Sequence, residues 1–133
     1  MLFRSLHRLF ERNPGHRLSE IAYPELPPET GVPWVERHVL EAFSLAGCDF
    51  KAGDRVRVFL QSFAYSDEPR VQTKFFGAGA HACLGRPLSL EVWQEIANVL
   101  STISLRVRVI SYAARTSDYV FTCPETLEVM LSS

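Results

Sequence analysis

The chain has 133 residues, 47% hydrophobic and 22% charged, with a formal net charge of −1. That is one domain, 1–133, soluble and globular, with room for one modest core. It excludes a nucleic-acid surface, because no basic patch or single-sign block stands out, and a membrane span, because no apolar run approaches ~20 residues.

Leu2, Phe3, Leu6, Leu9 and Phe10 recur at helical spacing, so residues 2–12 read as an amphipathic helix packed on the core. Glu11 and the lack of a cleavage-type segment argue against a targeting peptide. Asn13-Pro14-Gly15 stops that helix, and residues 17–23 fit a second short one with Ser19 as its cap. Tyr23 to Pro33 carries four prolines and reads as a loop. Val35 to Leu45 has no clear period and reads as extended or irregular.

Gly47 to Asp54 reads as a hairpin turn, and Arg55 to Leu60 alternates as a strand should. Ser66-Asp67-Glu68-Pro69 is a loop. Pro87 to Ser104 is the longest helical pattern, with Leu88, Val92, Ile96, Val99, Leu100 and Ile103 on one face and Pro87 in the first turn. Leu105 to Ile110, Tyr119 to Phe121 and Leu127 to Leu131 read as strands. The fold class expected is α+β, with a small antiparallel sheet, hairpins and a long helix after a cysteine loop.

That loop is Phe76-Gly77-Ala78-Gly79-Ala80-His81-Ala82-Cys83-Leu84-Gly85. It fits F-x-x-G-x-x-x-C-x-G and resembles the heme-ligand loop of the cytochrome P-450 family. Gly47 to Val56 resembles the family's G-x-x-I-P-A-G-x-x-V hairpin, Ser66 to Pro69 its R-D-P turn, and Pro124 to Val129 its closing hairpin. The order is the family's order. The resemblance implies a truncated or minimal member covering only the C-terminal heme-binding portion of that fold.

It also implies roles. Cys83 would be the axial thiolate on the iron of heme b. The start of the following helix favours negative charge on its sulfur. Phe76 would pack against the sulfur, and Gly79 and Gly85 would allow close backbone approach, so that N–H groups point at it. His81, and Arg37 ten residues before Gly47, would bond the two heme propionates. The departures are also clear. The family's E-x-x-R appears at best as Glu20-Ile21-Ala22-Tyr23, with Tyr in place of Arg, and the Pro69 to Phe76 loop is too short to supply a second structural arginine. The distal helix that delivers protons is not represented.

Two other patterns share these residues. Gly77-x-Gly79-x-x-Ala82 matches a dinucleotide-binding G-x-G-x-x-A, but only Lys74 to Phe76 precedes it as a strand, and no acidic residue ends a second strand about 20 residues on. A zinc site would need His81 and Cys83 to meet Cys48 and Cys123, which are otherwise small core residues. The odd cysteine count without CxxC spacing fits a reducing cytoplasm.

The function expected is a heme-thiolate oxidoreductase of monooxygenase or peroxygenase type acting on a small hydrophobic substrate. The alternatives are a heme sensor or carrier, with His7, His16 or His38 as sixth ligand, and an auxiliary or split subunit. An open apolar heme face calls for a homodimer or a protein partner to cover it.

Overall fold

A computed structural model describes residues 1–116 and 122–133, and of Thr116, Thr122 and Cys123 the backbone. The strand expected at Tyr119 to Phe121 and the core position expected for Cys123 lie outside the described residues. In chain order the elements are helix α1 (Leu2–Arg12), a 3-10 turn (Leu18–Glu20), strands β1 (Trp34–His38), β2 (Phe43–Leu45), β3 (Cys48–Phe50) and β4 (Arg55–Phe59), helices α2 (Leu60–Phe63) and α3 (Pro69–Gln72), 3-10 turns at Thr73–Phe76 and Gly79–His81, helix α4 (Arg86–Ser101), and strands β5 (Arg106–Thr116) and β6 (Thr122–Ser132).

The fold class is α+β, as expected. All pairing is antiparallel and is spread over three two-stranded ladders, β1 with β4, β2 with β3 and β5 with β6. A two-stranded ribbon is marginal alone, so each needs a helix or loop against it. α1 lies on β5 and β6. It turns Leu9 and Phe10 into a core shared with Leu18, Ile21, Trp93 and Val107, onto which Leu2, Leu6, Tyr23, Leu100, Ile103 and Val109 pack. Each such side chain, fully buried, contributes about 1.5–3 kcal/mol.

The short helix expected at 17–23 is a single 3-10 turn. Ser19 does not cap it: the Glu20 carboxylate accepts the Arg17 backbone N–H at 3.1 Å, and Arg17 stands at the cap position. The reversal in the first hairpin falls at Ala46-Gly47, both at positive φ, the geometry that suits the twist of two short strands. Residues 48–50 are therefore strand, and a second turn follows at 51–54. Cys48 is exposed on β3 instead of sitting in a core.

α4 differs most from expectation. Trp93, with no solvent exposure, and Ala97 form its buried face, whereas Leu88, Val92 and Val99 point outward. The long pattern contains two apolar stripes, and Trp93 wins the inner position because its indole N–H donates to the Pro24 carbonyl at 2.8 Å. Large aromatic area and a satisfied polar tip favour burial together.

Tyr23 closes the core edge. Its hydroxyl donates to the Leu18 carbonyl at 3.1 Å, and desolvation pushes its pKa up to about 12. The protonated form is the one the folded state favours, so its contribution is complete below the ordinary pKa of about 10 and is lost as pH rises toward about 12. Urea unfolding at stepped pH is expected to show the wild type losing stability relative to Tyr23→Phe across that window. Equal slopes would disprove the assignment.

Candidate functional site

The cysteine loop is built by short-range hydrogen bonds. The Cys83 backbone N–H donates to the Phe76 carbonyl at 2.8 Å, closing the loop at its base. Inside it, Gly77 N–H donates to Lys74, His81 N–H to Ala78 and Ala82 N–H to Gly79. Arg86 N–H reaches the Cys83 carbonyl at 3.2 Å, so the loop runs directly into α4. Lys74 to Phe76 is a 3-10 turn, not a strand, which removes the context a dinucleotide-binding loop requires.

Gly77 is the glycine that this geometry needs most, and the motif reading passed over it. Its φ is +80° with ψ 177°, a region open almost only to glycine. A Cβ there would lie 2.4 Å from the His81 carbonyl oxygen. Gly79 has φ +58° with open space where its Cβ would be, and a Cβ on Gly85 would meet the Cys83 Sγ at 3.8 Å, an ordinary contact. The close approach expected at Gly85 is therefore not enforced by sterics. Among the described residues no N–H donates to the Cys83 sulfur.

Beneath the loop Phe75 and Phe76 are buried and meet edge to face, with centroids 4.4 Å apart. They line an apolar cleft of about 270 Å³ with Thr30, Gly31, Val32, Ser89, Met1 and Cys83. Cys83 is an exposed free thiol, while its neighbour Leu84 is 99% exposed. Phe76 and Cys83 are thus brought to one cleft. Arg37 and His81 do not line it. Arg37 sits on β1 opposite Val56, and its Nη1 donates to the Glu36 carbonyl at 2.8 Å. His81 is exposed at the end of its 3-10 turn. Gly79 and Gly85 flank the loop at the surface.

The candidate sixth ligands are elsewhere. His7 stacks on Tyr112 at 3.8 Å and faces Glu11 at 3.3 Å, in a larger groove between α1 and β5. His16 follows the α1 stop, and His38 ends β1; neither lines the cleft. Among the described residues no three His, Cys, Asp or Glu side chains converge as a metal site. No helix of the described residues is long and apolar enough to cross a membrane.

Sequence reasoning missed Thr30, Gly31, Val32 and Ser89 as cleft residues. The first three lie in a proline-rich loop without period, so nothing local marks them. Phe75, adjacent to the motif Phe, carried a signal in its position.

The solved structures similar to this chain are cytochromes P-450. The P-450 RauA, complexed with a biosynthetic intermediate of aurachin RE, matches with a TM-score of 0.61 at 25% identity, over 77% of this chain and 28% of its own. A versatile cytochrome P-450 enzyme from Bacillus subtilis matches with a TM-score of 0.58 at 23% identity, over 74% and 30%. Cytochrome P-450-153 from Novosphingobium aromaticivorans matches with a TM-score of 0.59 at 23% identity, over 98% and 36%. No family model and no curated protein sequence matches the chain. The fold is a partial cytochrome P-450 fold, and the chain spans about a third of the length of these structures, 28% to 36%.

The loop geometry sets an order of sensitivity. Gly77→Ala is expected to cost about 2–3 kcal/mol, because strain and a backbone clash add. Gly79→Ala is expected to cost about 1–2 kcal/mol from φ alone. Chemical denaturation of the two variants checks this, and an equal or reversed order would contradict the loop geometry.

Proposed function

We propose that the protein is a heme-thiolate oxidoreductase of monooxygenase or peroxygenase type, with Cys83 as the iron ligand. One observation carries the reading: the only described cysteine on the apolar cleft is Cys83, in a glycine-strained loop closed on Phe76. The residues present fit heme b. Phe75, Phe76 and Val32 offer an apolar wall, Cys83 a soft anionic ligand, and Gly77 a loop geometry that a Cβ would destroy. The partial fold shared with cytochromes P-450 supports the same cofactor.

When bound, the heme supplies the oxidation chemistry, which a thiolate ligand favours by pushing electron density toward iron. The chain's own residues hold and shield. Cys83 presents its sulfur from a backbone pinned at both ends by hydrogen bonds to Phe76 and Arg86. Phe76 packs beneath the loop and gives the cleft an apolar floor next to the sulfur. Gly79 and Gly85 place no side chain at their own positions on the loop's exposed rim. Arg37 and His81 would hold the propionates through charge-assisted hydrogen bonds, and Arg37 would then exchange its contact with the Glu36 carbonyl. A small hydrophobic molecule is the substrate class that suits such a cleft.

The decisive measurement is the absorption spectrum of the hemin-loaded, reduced protein under carbon monoxide. Wild type is expected to show the red-shifted Soret band of a thiolate complex, and Cys83→Ala to lose it. A wild-type band at the shorter wavelength of a neutral-ligand complex, or no hemin uptake, would refute the reading.

An apolar row on α4 favours a related second reading. Leu88 and Val92, with Leu84 before them, stay exposed beside the thiol loop, and a second copy or a partner chain covering them would complete the site. Light scattering of the hemin-loaded protein is expected to give a dimer mass that Leu88→Glu lowers to a monomer. A wild-type monomer with heme fully bound would remove the need for a partner.

A further inference from the structure

Outside the thiol loop, the densest polar cluster in the described residues surrounds Glu29. This carboxylate is 4% exposed, and α1 reaches it with three side chains. Arg4 Nη2 donates to its Oε2 at 2.9 Å, and Arg8 Nη1 stands 3.0 Å from Oε1. The Ser5 hydroxyl oxygen, fully buried, accepts the Glu29 backbone N–H at 3.1 Å. Arg8 is off-line for a hydrogen bond, so Oε1 has a charge partner without a hydrogen bond, and Arg8 Nε and Thr30 Oγ1 are likewise unbonded. The cluster is thus held by one charge-assisted hydrogen bond, one ion contact and the Ser5 hydrogen bond.

The next residues of the same loop, Thr30 to Val32, are the cleft wall that shares its space with Phe76 and Cys83. Gln61 of α2 secures them from the other side. Its Oε1 accepts the Thr30 N–H at 2.9 Å and its Nε2 donates to the Pro28 carbonyl at 2.9 Å. Glu29 thus ties the segment to α1, the Gln61 side chain holds the residues on either side of Glu29, and the Gln61 backbone N–H holds the far end by donating to the Pro33 carbonyl at 3.1 Å.

We propose that Glu29, clamped by Arg4 and Arg8, is a positioning residue that sets the cleft wall against the Cys83 loop, making α1 part of the ligand-binding apparatus. It touches neither thiol nor ligand and acts through Thr30 to Val32. The inference rests on the heme reading for its ligand, but not for its geometry. Without the carboxylate charge the two arginines, both partly exposed, turn to water and the loop loses its tie to α1. The loop can then move away from α1, which widens the cleft.

The test compares wild type, Glu29→Gln and Val107→Ala, the last a core variant on β5. Glu29→Gln is expected to weaken hemin binding ~10-fold or more and to shift the carbon monoxide spectrum toward the short-wavelength form, while Val107→Ala stays within ~2-fold of wild type. Equal hemin binding by the two variants would overturn the proposal. A second readout needs no heme. It is the ratio of amide hydrogen-exchange rates, variant over wild type, at residues 30–32 of the cleft wall. That ratio is expected to reach ~5-fold or more in Glu29→Gln and to stay near one in Val107→Ala. An unchanged ratio overturns the proposal even if wild type takes up no hemin, an outcome that sinks only the heme reading. If Glu29→Gln does not fold, Arg8→Gln, which removes the half-exposed arm of the clamp, is expected to show both effects in smaller measure, and their absence is equally decisive.

Discussion

A carboxylate withdrawn from water must be neutralised where it lies, and the arrangement of this small fold follows from how Glu29 meets that requirement. Its partners are on a helix more than twenty residues earlier in the chain. Because the arginines are partly exposed, breaking the cluster costs less than losing a fully buried pair, about 1–3 kcal/mol, still a sizeable share of the ~5–15 kcal/mol that holds a typical domain together. The ion pairs therefore do what the apolar core alone does not. They fix α1 to the proline-rich loop, while the core contacts of Leu9, Phe10 and Val107 fix α1 to the β5–β6 ribbon. One helix thereby joins the ribbon to the cleft.

The thiol loop solves a different problem. It must hold one sulfur at the surface of an apolar cleft without the support of a sheet. It does so with backbone hydrogen bonds over short distances and with a glycine in a conformation other residues avoid. Phe75 and Phe76 anchor it from below, one against the other. The loop is thus stiff by local means, whereas the wall facing it is stiff by long-range means.

Much of this was legible in the residues. The apolar period of α1, the stop at Asn13 to Gly15, the alternation of Arg55 to Leu60 and the loop that carries Cys83 are all local signals, and each corresponds to an element found, the strand ending one residue earlier at Phe59. Local signals misled where two solutions were equally good. α4 carries apolar residues on two faces, and periodicity favoured the row Leu88, Val92, Ile96, Val99, Leu100 and Ile103, of which Leu100 and Ile103 do pack on the core while Leu88, Val92 and Val99 stay exposed and Trp93 takes the buried face. Cys48 looked like a core residue by type, but a three-residue strand in an isolated hairpin has no core to offer it. Gly77 was passed over because composition cannot reveal that its neighbour's carbonyl lies where a Cβ would stand.

By itself the sequence determined the α+β class, helices α1 and α4, the strand β4 and parts of β5 and β6, and the loop that presents Cys83, because periodicity, turn chemistry and a short motif act over a few residues. The tertiary structure alone decided which face of α4 is buried, that Glu29 is a buried ion-pair centre, and that Thr30 to Val32 share a cleft with Cys83. Those outcomes depend on contacts between segments far apart in the chain, and burial and charge pairing are properties of the packed whole, which no local window contains.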